Sequence, residues 1–145
     1  MSKAMMDDLS KKMRIIVLDM IYKSKSSHIG SCFSMIEIMT FINKIFNKND
    51  SIIISKGHAA AVFYAFQYIT RKISKKNLDT YNLDNSYLSG HVTKNKITKA
   101  NFSSGSLGHG LPISLGLAIS NKFLKNENKV FCVISDGELN EGSSL

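Results

Sequence analysis

Lys129-Val130-Phe131-Cys132-Val133-Ile134-Ser135-Asp136-Gly137 carries five successive apolar residues between a lysine and a serine. Side chains alternate across a strand, so a run that is apolar at every position has to be covered on both faces. That points to a strand in the middle of a parallel sheet with helices on either side. Ser51-Ile-Ile-Ile-Ser55 is a shorter run of the same kind, preceded by turn residues from Asn47 to Asp50.

The rest of the chain has helical spacing. Met6, Leu9, Met13, Ile16, Val17 and Met20 predict an amphipathic helix over residues 5–23, followed by a polar loop from Lys23 to Ser31. Ser34-Met-Ile-Glu37 has the spacing of a capping box and predicts a second helix to about Phe46. A third, strongly apolar helix is expected over Ala59 to Thr70, and a short exposed one over Ser74 to Asn82. Residues 83–105 are rich in Ser, Asn, Gly and Lys and predict an irregular functional loop. Helix resumes from Ser106 to Leu124, with Pro112 near its first turns, and another helix could begin at Leu139. This order predicts an α/β fold, a partial doubly wound parallel sheet with helices on both faces. The residues after Ser135 are too few for a crossover helix and a further strand, so residues 1–145 read as one incomplete domain.

Composition excludes several classes. The 145 residues carry a formal charge of +8, yet the lysines are dispersed and only Arg14 and Arg71 offer a bidentate fork. Nucleic-acid binding is therefore not expected. Two cysteines, Cys32 and Cys132, make no disulfide framework, and Cys132 reads as a buried inert thiol. The longest apolar stretch, Ala59 to Phe66, is too short to span a bilayer, and Asp7 and Asp8 precede the first apolar run. A soluble protein of a reducing compartment is expected.

All four histidines lie beside glycine and serine: Ser27-His28-Ile29-Gly30, Lys56-Gly57-His58, Ser89-Gly90-His91 and Gly105-Ser106-Leu107-Gly108-His109-Gly110. Glycine lets a ligand approach the backbone, and imidazole donates to anionic or hydroxylic oxygens. Zinc is a competing reading, but the spacings of 30, 33 and 18 residues contain no short ligand pair. A Cys32/His28 nucleophilic pair is another, interrupted by Gly30-Ser31. Asp136-Gly137 follows a buried strand, where α/β folds bind ligands and where an aspartate suits a hard cation. A plain turn before a helix explains the same two residues, with Glu138 and Glu141 favouring the helix start. Gly105 to Gly110 lacks the spacing of a dinucleotide or P-loop fingerprint and fits close packing against a flat ligand equally well.

In combination, Ser27-His28-Ile29-Gly30-Ser31, Ile54-Ser55-Lys56-Gly57-His58-Ala59, Ser89-Gly90-His91, Gly105-Ser-Leu-Gly-His-Gly110 and Asp136-Gly-Glu-Leu-Asn-Glu-Gly142 resemble the transketolase family in family order. The likeness is to the N-terminal, thiamine-diphosphate-binding subunit of split bacterial transketolases, truncated, and it runs from about Met13 to Leu145. The resemblance implies thiamine diphosphate and Mg²⁺ (or Ca²⁺) as cofactors. It implies transfer of a two-carbon ketol unit from a ketose phosphate to an aldose phosphate.

It also implies residue roles. His58 would hydrogen-bond the diphosphate, and His28 and His91 would contact sugar hydroxyls as catalytic residues. Gly105 and Leu107, with Ser106 beside them, would pack on the pyrimidine and thiazole side. Asp136 would ligate the metal, Gly137 would give a backbone amide to the diphosphate, and Glu138 joins the cofactor-binding set. His109, where many relatives have glutamine, would orient neighbours.

Ser135 stands where the family usually has glycine, and the family's second metal ligand is an asparagine further downstream than Asn140. The resemblance therefore implies an incomplete metal site, weak cofactor binding and no turnover by the isolated chain. It also implies a partner, a C-terminal subunit with the pyrimidine domain, a second copy in a dimeric assembly, and a cytoplasmic location. Two rival readings remain at this level: a relative that makes an unusual sugar for surface polysaccharides, and a non-catalytic truncated remnant.

Overall fold

The computed structural model describes residues 2–145. Helix α1 spans Lys3–Ser24, with the Ser2 hydroxyl accepting from the Met5 amide (3.3 Å) as its N-cap. It buries Ser10, Met13, Val17 and Met20, residues three and four apart, so one stripe faces inward. That stripe packs on α3 (Ile36–Ile45) and α4 (Ala60–Ile69). Helix α4 is buried at every position from Ala60 to Gln67 and is the centre of the core. Full burial of a side chain such as Val17 or Met13 contributes roughly 1.5–3 kcal/mol. A polar pair within this packing is satisfied: Ser10 Oγ donates to Thr40 Oγ1 (3.1 Å), which donates to the Ile36 carbonyl (2.9 Å).

Strands β1 (Ser51–Ile54) and β2 (Val130–Val133) pair in parallel, with Ser51 opposite Val130 and Ile54 opposite Val133. Ile52 and Ile54 join the main core with α1, α3 and α4, whereas Ile53, of opposite parity, does not. Helix α6 (Gly110–Phe123) packs against β2 and β1 on the other side. Helices therefore cover both faces of a parallel sheet, the α/β arrangement expected from the two apolar runs.

Several local expectations change. Part of the expected loop is helix α2 (Ile29–Phe33), and Ser34 is its C-cap rather than the N-cap of α3, which is Met35, so Glu37 completes no capping box. The Ser34 hydroxyl instead accepts from Lys56 Nζ (2.9 Å) and donates to the Ser31 carbonyl (3.1 Å). Helix α5 is only Lys75–Leu78, and α6 begins at Gly110 rather than Ser106, because residues 105–109 form the loop that crosses the strand ends. The start of a helix at Leu139 is a 3₁₀ turn, Gly137–Asn140. Strand β2 has one neighbour among the described residues and is half-buried. Cys132 is half-buried with it rather than buried as expected, because β2 has no neighbour on its other edge among the described residues; what burial it has pushes its thiol up. Pro112 is the third residue of α6, where its missing amide costs no helical hydrogen bond. Among the described residues no helix is long and apolar enough to cross a membrane.

Candidate active site

Because β1 and β2 are parallel, their C-terminal ends open on the same side, β1 into Ser55-Lys56-Gly57-His58 and β2 into Ile134-Ser135-Asp136-Gly137. The long loop before α6 is drawn across this end. The Val92 amide donates to the Gly57 carbonyl (3.1 Å), and the Ser104 amide donates to the Val92 carbonyl (2.9 Å). The crossing is tight: a Cβ on Gly57 would sit 2.6 Å from Ser104 Oγ and 2.7 Å from its carbonyl carbon. The loop delivers His91, whose carbonyl accepts from the buried Tyr64 hydroxyl (3.2 Å) and from Ser89 Oγ (3.1 Å).

Three of the four histidines meet here. The His28 and His58 ring centroids are 5.2 Å apart, and those of His28 and His91 are 6.1 Å apart. His28 is held in the left-handed region (φ 72°) at the start of α2, an unusual position for a residue with a Cβ. Gly105 completes the group, since a Cβ there would lie 3.7 Å from His91 Cδ2. His28 and His91 are exposed and His58 is half-buried. Burial, then the neighbouring His28, Lys56 and His91, hold His58 below the usual histidine range, so it is a neutral donor at pH 7. His109 is exposed at the N-terminus of α6 and shares none of these ring contacts among the described residues.

Beside the histidines lies a cavity of about 440 Å³ lined by Gly30, Ser31, Lys56, His58, Ser135 and Asp136. Lys56 is buried, and its Nζ donates to the Ser31 carbonyl (3.1 Å) and to Ser34 Oγ. Burial holds it below the usual lysine range, opposed by Cys32, Glu138 and Asp136. A buried ammonium beside a neutral imidazole at a strand end suits an anion such as a diphosphate. Gly30 and Gly137 have nothing within 4 Å of a Cβ position, so the protein's own packing does not require glycine there, whereas a ligand against the backbone would.

Among the described residues Asp136 is the one acidic side chain lining this cavity, and it is exposed. Among the same residues no three His, Cys, Asp or Glu side chains are grouped to hold a metal, so the zinc reading finds no ligand set. A Mg²⁺ at Asp136 would take its remaining oxygens from the diphosphate, water or another segment. Cys32 is 1% exposed and burial raises its thiol, so it is no nucleophile for His28.

Glu138 differs most from expectation. Its side chain is fully buried and its oxygens are occupied within the chain. Oε1 accepts from Ser55 Oγ (2.5 Å) and the Gly108 amide (3.0 Å), and Oε2 from the Ser135 amide (2.8 Å) and Ser135 Oγ (3.1 Å). Its carboxylate therefore faces the interior and holds the loop, rather than the cavity. Ser106 and Leu107 are exposed on that loop, and Gly137 is exposed next to Asp136 in the chain, outside the cavity lining. Lys56, which lines the cavity, and Ser55, which bonds Glu138 and the Gly110 amide, are positions to which the sequence motifs give no role. A lysine two residues past the end of a buried apolar strand is the signal that marks the first; nothing local marks the second.

Histidines, a buried lysine and an aspartate at the C-terminal ends of a parallel sheet define a ligand-binding domain of the open α/β class. Residues 5–145 match the family model described as "Transketolase, thiamine diphosphate binding domain", and the chain belongs to that family. It is 34% identical over 152 residues to an apulose-4-phosphate transketolase subunit from Actinobacillus succinogenes, covering 95% of this chain and 55% of that one. It is 33% identical over 144 residues to the protein of the same name from Phocaeicola vulgatus, covering 92% and 51%. Human transketolase is 34% identical over 148 residues, 94% of this chain and 23% of that protein. The chain spans about half the length of the two apulose-4-phosphate transketolase relatives. In fold, the Campylobacter jejuni transketolase crystal structure superposes with a TM-score of 0.93 at 24% identity, over 99% of this chain and 25% of that one.

Proposed function

We propose that the chain forms the diphosphate-binding part of a transketolase that moves a two-carbon ketol unit between sugar phosphates. The carrying observation is the meeting of His28, His58 and His91 beside the C-terminal ends of β1 and β2. Thiamine diphosphate, when bound, supplies the electron sink for breaking and making the carbon–carbon bond.

The chain's own residues bind and orient. Lys56 and His58 take the diphosphate, the lysine as a charge and the imidazole as a hydrogen-bond donor. His28 and His91, the exposed pair, hydrogen-bond sugar hydroxyls and relay a proton at the reacting carbon. Gly105, Ser106 and Leu107 give a flat surface for the cofactor rings, and Gly137 leaves its amide open to the diphosphate. Asp136 contributes one oxygen to Mg²⁺. Glu138 keeps the glycine loop in register with both strands and touches no ligand.

The reading includes a partner chain with the pyrimidine domain and a second copy in the assembly. Two relatives named as transketolase subunits support the split arrangement, and make an apulose 4-phosphate-type sugar phosphate the favoured substrate class. Leu115, Ile119 and Phe123, four residues apart on α6, are all exposed, an apolar stripe that suits a protein neighbour. A cytoplasmic location goes with sugar phosphate substrates.

The test is a two-carbon transfer assay on the protein with its partner, purified from its source. His28→Ala and His91→Ala should each lower kcat by about 10²- to 10⁴-fold, with thiamine diphosphate affinity little changed. His58→Ala should instead weaken thiamine diphosphate binding. Wild-type turnover by the His28→Ala/His91→Ala double variant would overturn the reading.

A further inference from the structure

Helix α1 carries a second row of side chains, turned away from the stripe it buries against α3 and α4. Asp8, Lys11, Ile15, Leu18 and Tyr22 follow one another at alternating steps of three and four, and Lys25 continues the row at the helix C-cap. All six are exposed. That spacing is the heptad seam of a coiled coil, with Asp8, Ile15 and Tyr22 at one of its two positions and Lys11, Leu18 and Lys25 at the other. A surface helix normally presents polar residues opposite its buried stripe. Here the centre of the outer row is apolar, with Ile15, Leu18 and Tyr22 at 66%, 44% and 84% exposure. The surface beside the row is concave: Asp8, Lys11 and Ile15, together with Tyr68 and Leu78, line an open groove of about 600 Å³.

Charge decides what can face this row. In an antiparallel pair of α1 helices the second row runs backwards. A two-fold axis midway between Ile15 and Leu18 then sets Ile15 against Leu18, Lys11 against Tyr22 and Asp8 against Lys25, each pair made twice. Every layer is complementary: apolar on apolar, ammonium on an aromatic ring, carboxylate on ammonium. A parallel pair would instead set Asp8 on Asp8, Lys11 on Lys11 and Lys25 on Lys25. Among the described residues Asp8, Lys11 and Lys25 have no ion-pair partner within the chain, so their charges are free to make these contacts.

We propose that two copies of the chain associate through α1 in this antiparallel register. This deepens the proposed assembly, on which it rests for the presence of a second copy, and gives that copy a surface. Six side chains a copy are fewer than the roughly 20–30 residues a side of a standard interface, so the free chains associate with a Kd of about 1 µM to 1 mM.

The experiment is sedimentation equilibrium of the full chain across that concentration range, without cofactor or sugar. A reversible monomer–dimer equilibrium is expected. Leu18→Glu, which puts charge at the centre of the seam from an exposed position, should leave the chain monomeric with its urea unfolding little changed. Asp8→Lys and Lys25→Asp each set like charges opposite one another and should each raise Kd by about tenfold, whereas the two together should restore it. A monomer at every concentration would overturn the proposal. So would a dimer that survives Leu18→Glu, which would run through another face, or charge variants that fail to rescue each other. No turnover is read, so failure here leaves the two-carbon transfer reading standing, and a failed transfer assay leaves the seam standing.

Discussion

The Glu138 carboxylate accepts a 2.5 Å hydrogen bond from the Ser55 hydroxyl, joining residues 83 positions apart. The Ser55 hydroxyl in turn accepts from the Gly110 amide (3.0 Å), and Glu138 also takes the Gly108 amide and both donors of Ser135. One buried carboxylate thereby ties the end of β1, the end of β2 and the glycine loop into a single unit. The cavity walls inherit their geometry from it.

Replacing Glu138 by alanine leaves buried donors on Ser55, Gly108 and Ser135 without a partner. The expected loss is about 2–4 kcal/mol of stability, read by urea unfolding. Burial raises the Glu138 carboxyl, but its hydrogen bonds, Ser55 foremost, outweigh this and hold it below the ordinary glutamate value of 4.5. Its contribution is therefore present above pH 4.5 and lost as pH falls through the folded-state value. Glu138→Gln should flatten that acid limb of the stability curve.

His58 is held below its unfolded value of 6.5, so between the two values the folded chain binds fewer protons than the unfolded one. Stability from this group rises with pH through that window and is complete above 6.5. A bound diphosphate reverses the balance by favouring imidazolium. Addition of thiamine diphosphate should raise the His58 value in an NMR titration and draw protons from buffer near pH 6 to 7, roughly the ordinary histidine range. A His58 value unmoved by the cofactor would remove this residue from the diphosphate site.

Gly110 and Gly137 should respond oppositely to alanine. A Cβ on Gly110 would lie 2.3 Å from Ser55 Cβ, so Gly110→Ala should destabilise by about 1–3 kcal/mol or more. Nothing lies within 4 Å of a Cβ on Gly137, so Gly137→Ala should be neutral or slightly stabilising. It should still weaken thiamine diphosphate binding, measured by titration calorimetry.

Lys56→Met keeps the side-chain volume and removes the buried charge. Thiamine diphosphate affinity should fall by about 10- to 100-fold, and its dependence on salt should lessen. Asp136→Asn, at an exposed position, should change stability by less than about 0.5 kcal/mol while abolishing the enhancement of cofactor binding by Mg²⁺.

Legibility in the sequence follows the range of the interaction. The strands at Ser51–Ile54 and Val130–Val133 are readable because a fully apolar run needs cover on both faces. Helices α1 and α4 are readable from spacing and composition. The Gly-bounded histidines mark the site, since loop glycine beside imidazole is a local pattern. Helix α2 escapes a sequence reading because Gly30 and three serines from 26 to 31 carry the composition of a loop. Ser34 imitates a cap, but its hydroxyl is claimed by a lysine 22 residues away. Glu138 groups with the ligand-binding residues in sequence because its neighbours there face the ligand.

Residue order alone therefore establishes the two strands and helices α1 and α4, and which glycines and histidines stand beside them. Those properties depend on side chains a few positions apart. Tertiary structure decides the register of Ser51 with Val130, the meeting of His28, His58 and His91, and the inward turn of Glu138. Each of these depends on how the loop before α6 crosses Gly57 and closes on the strand ends. That crossing is a packing solution that brings Val92 and Ser104 onto Gly57, 35 and 47 positions away, and no local periodicity encodes it.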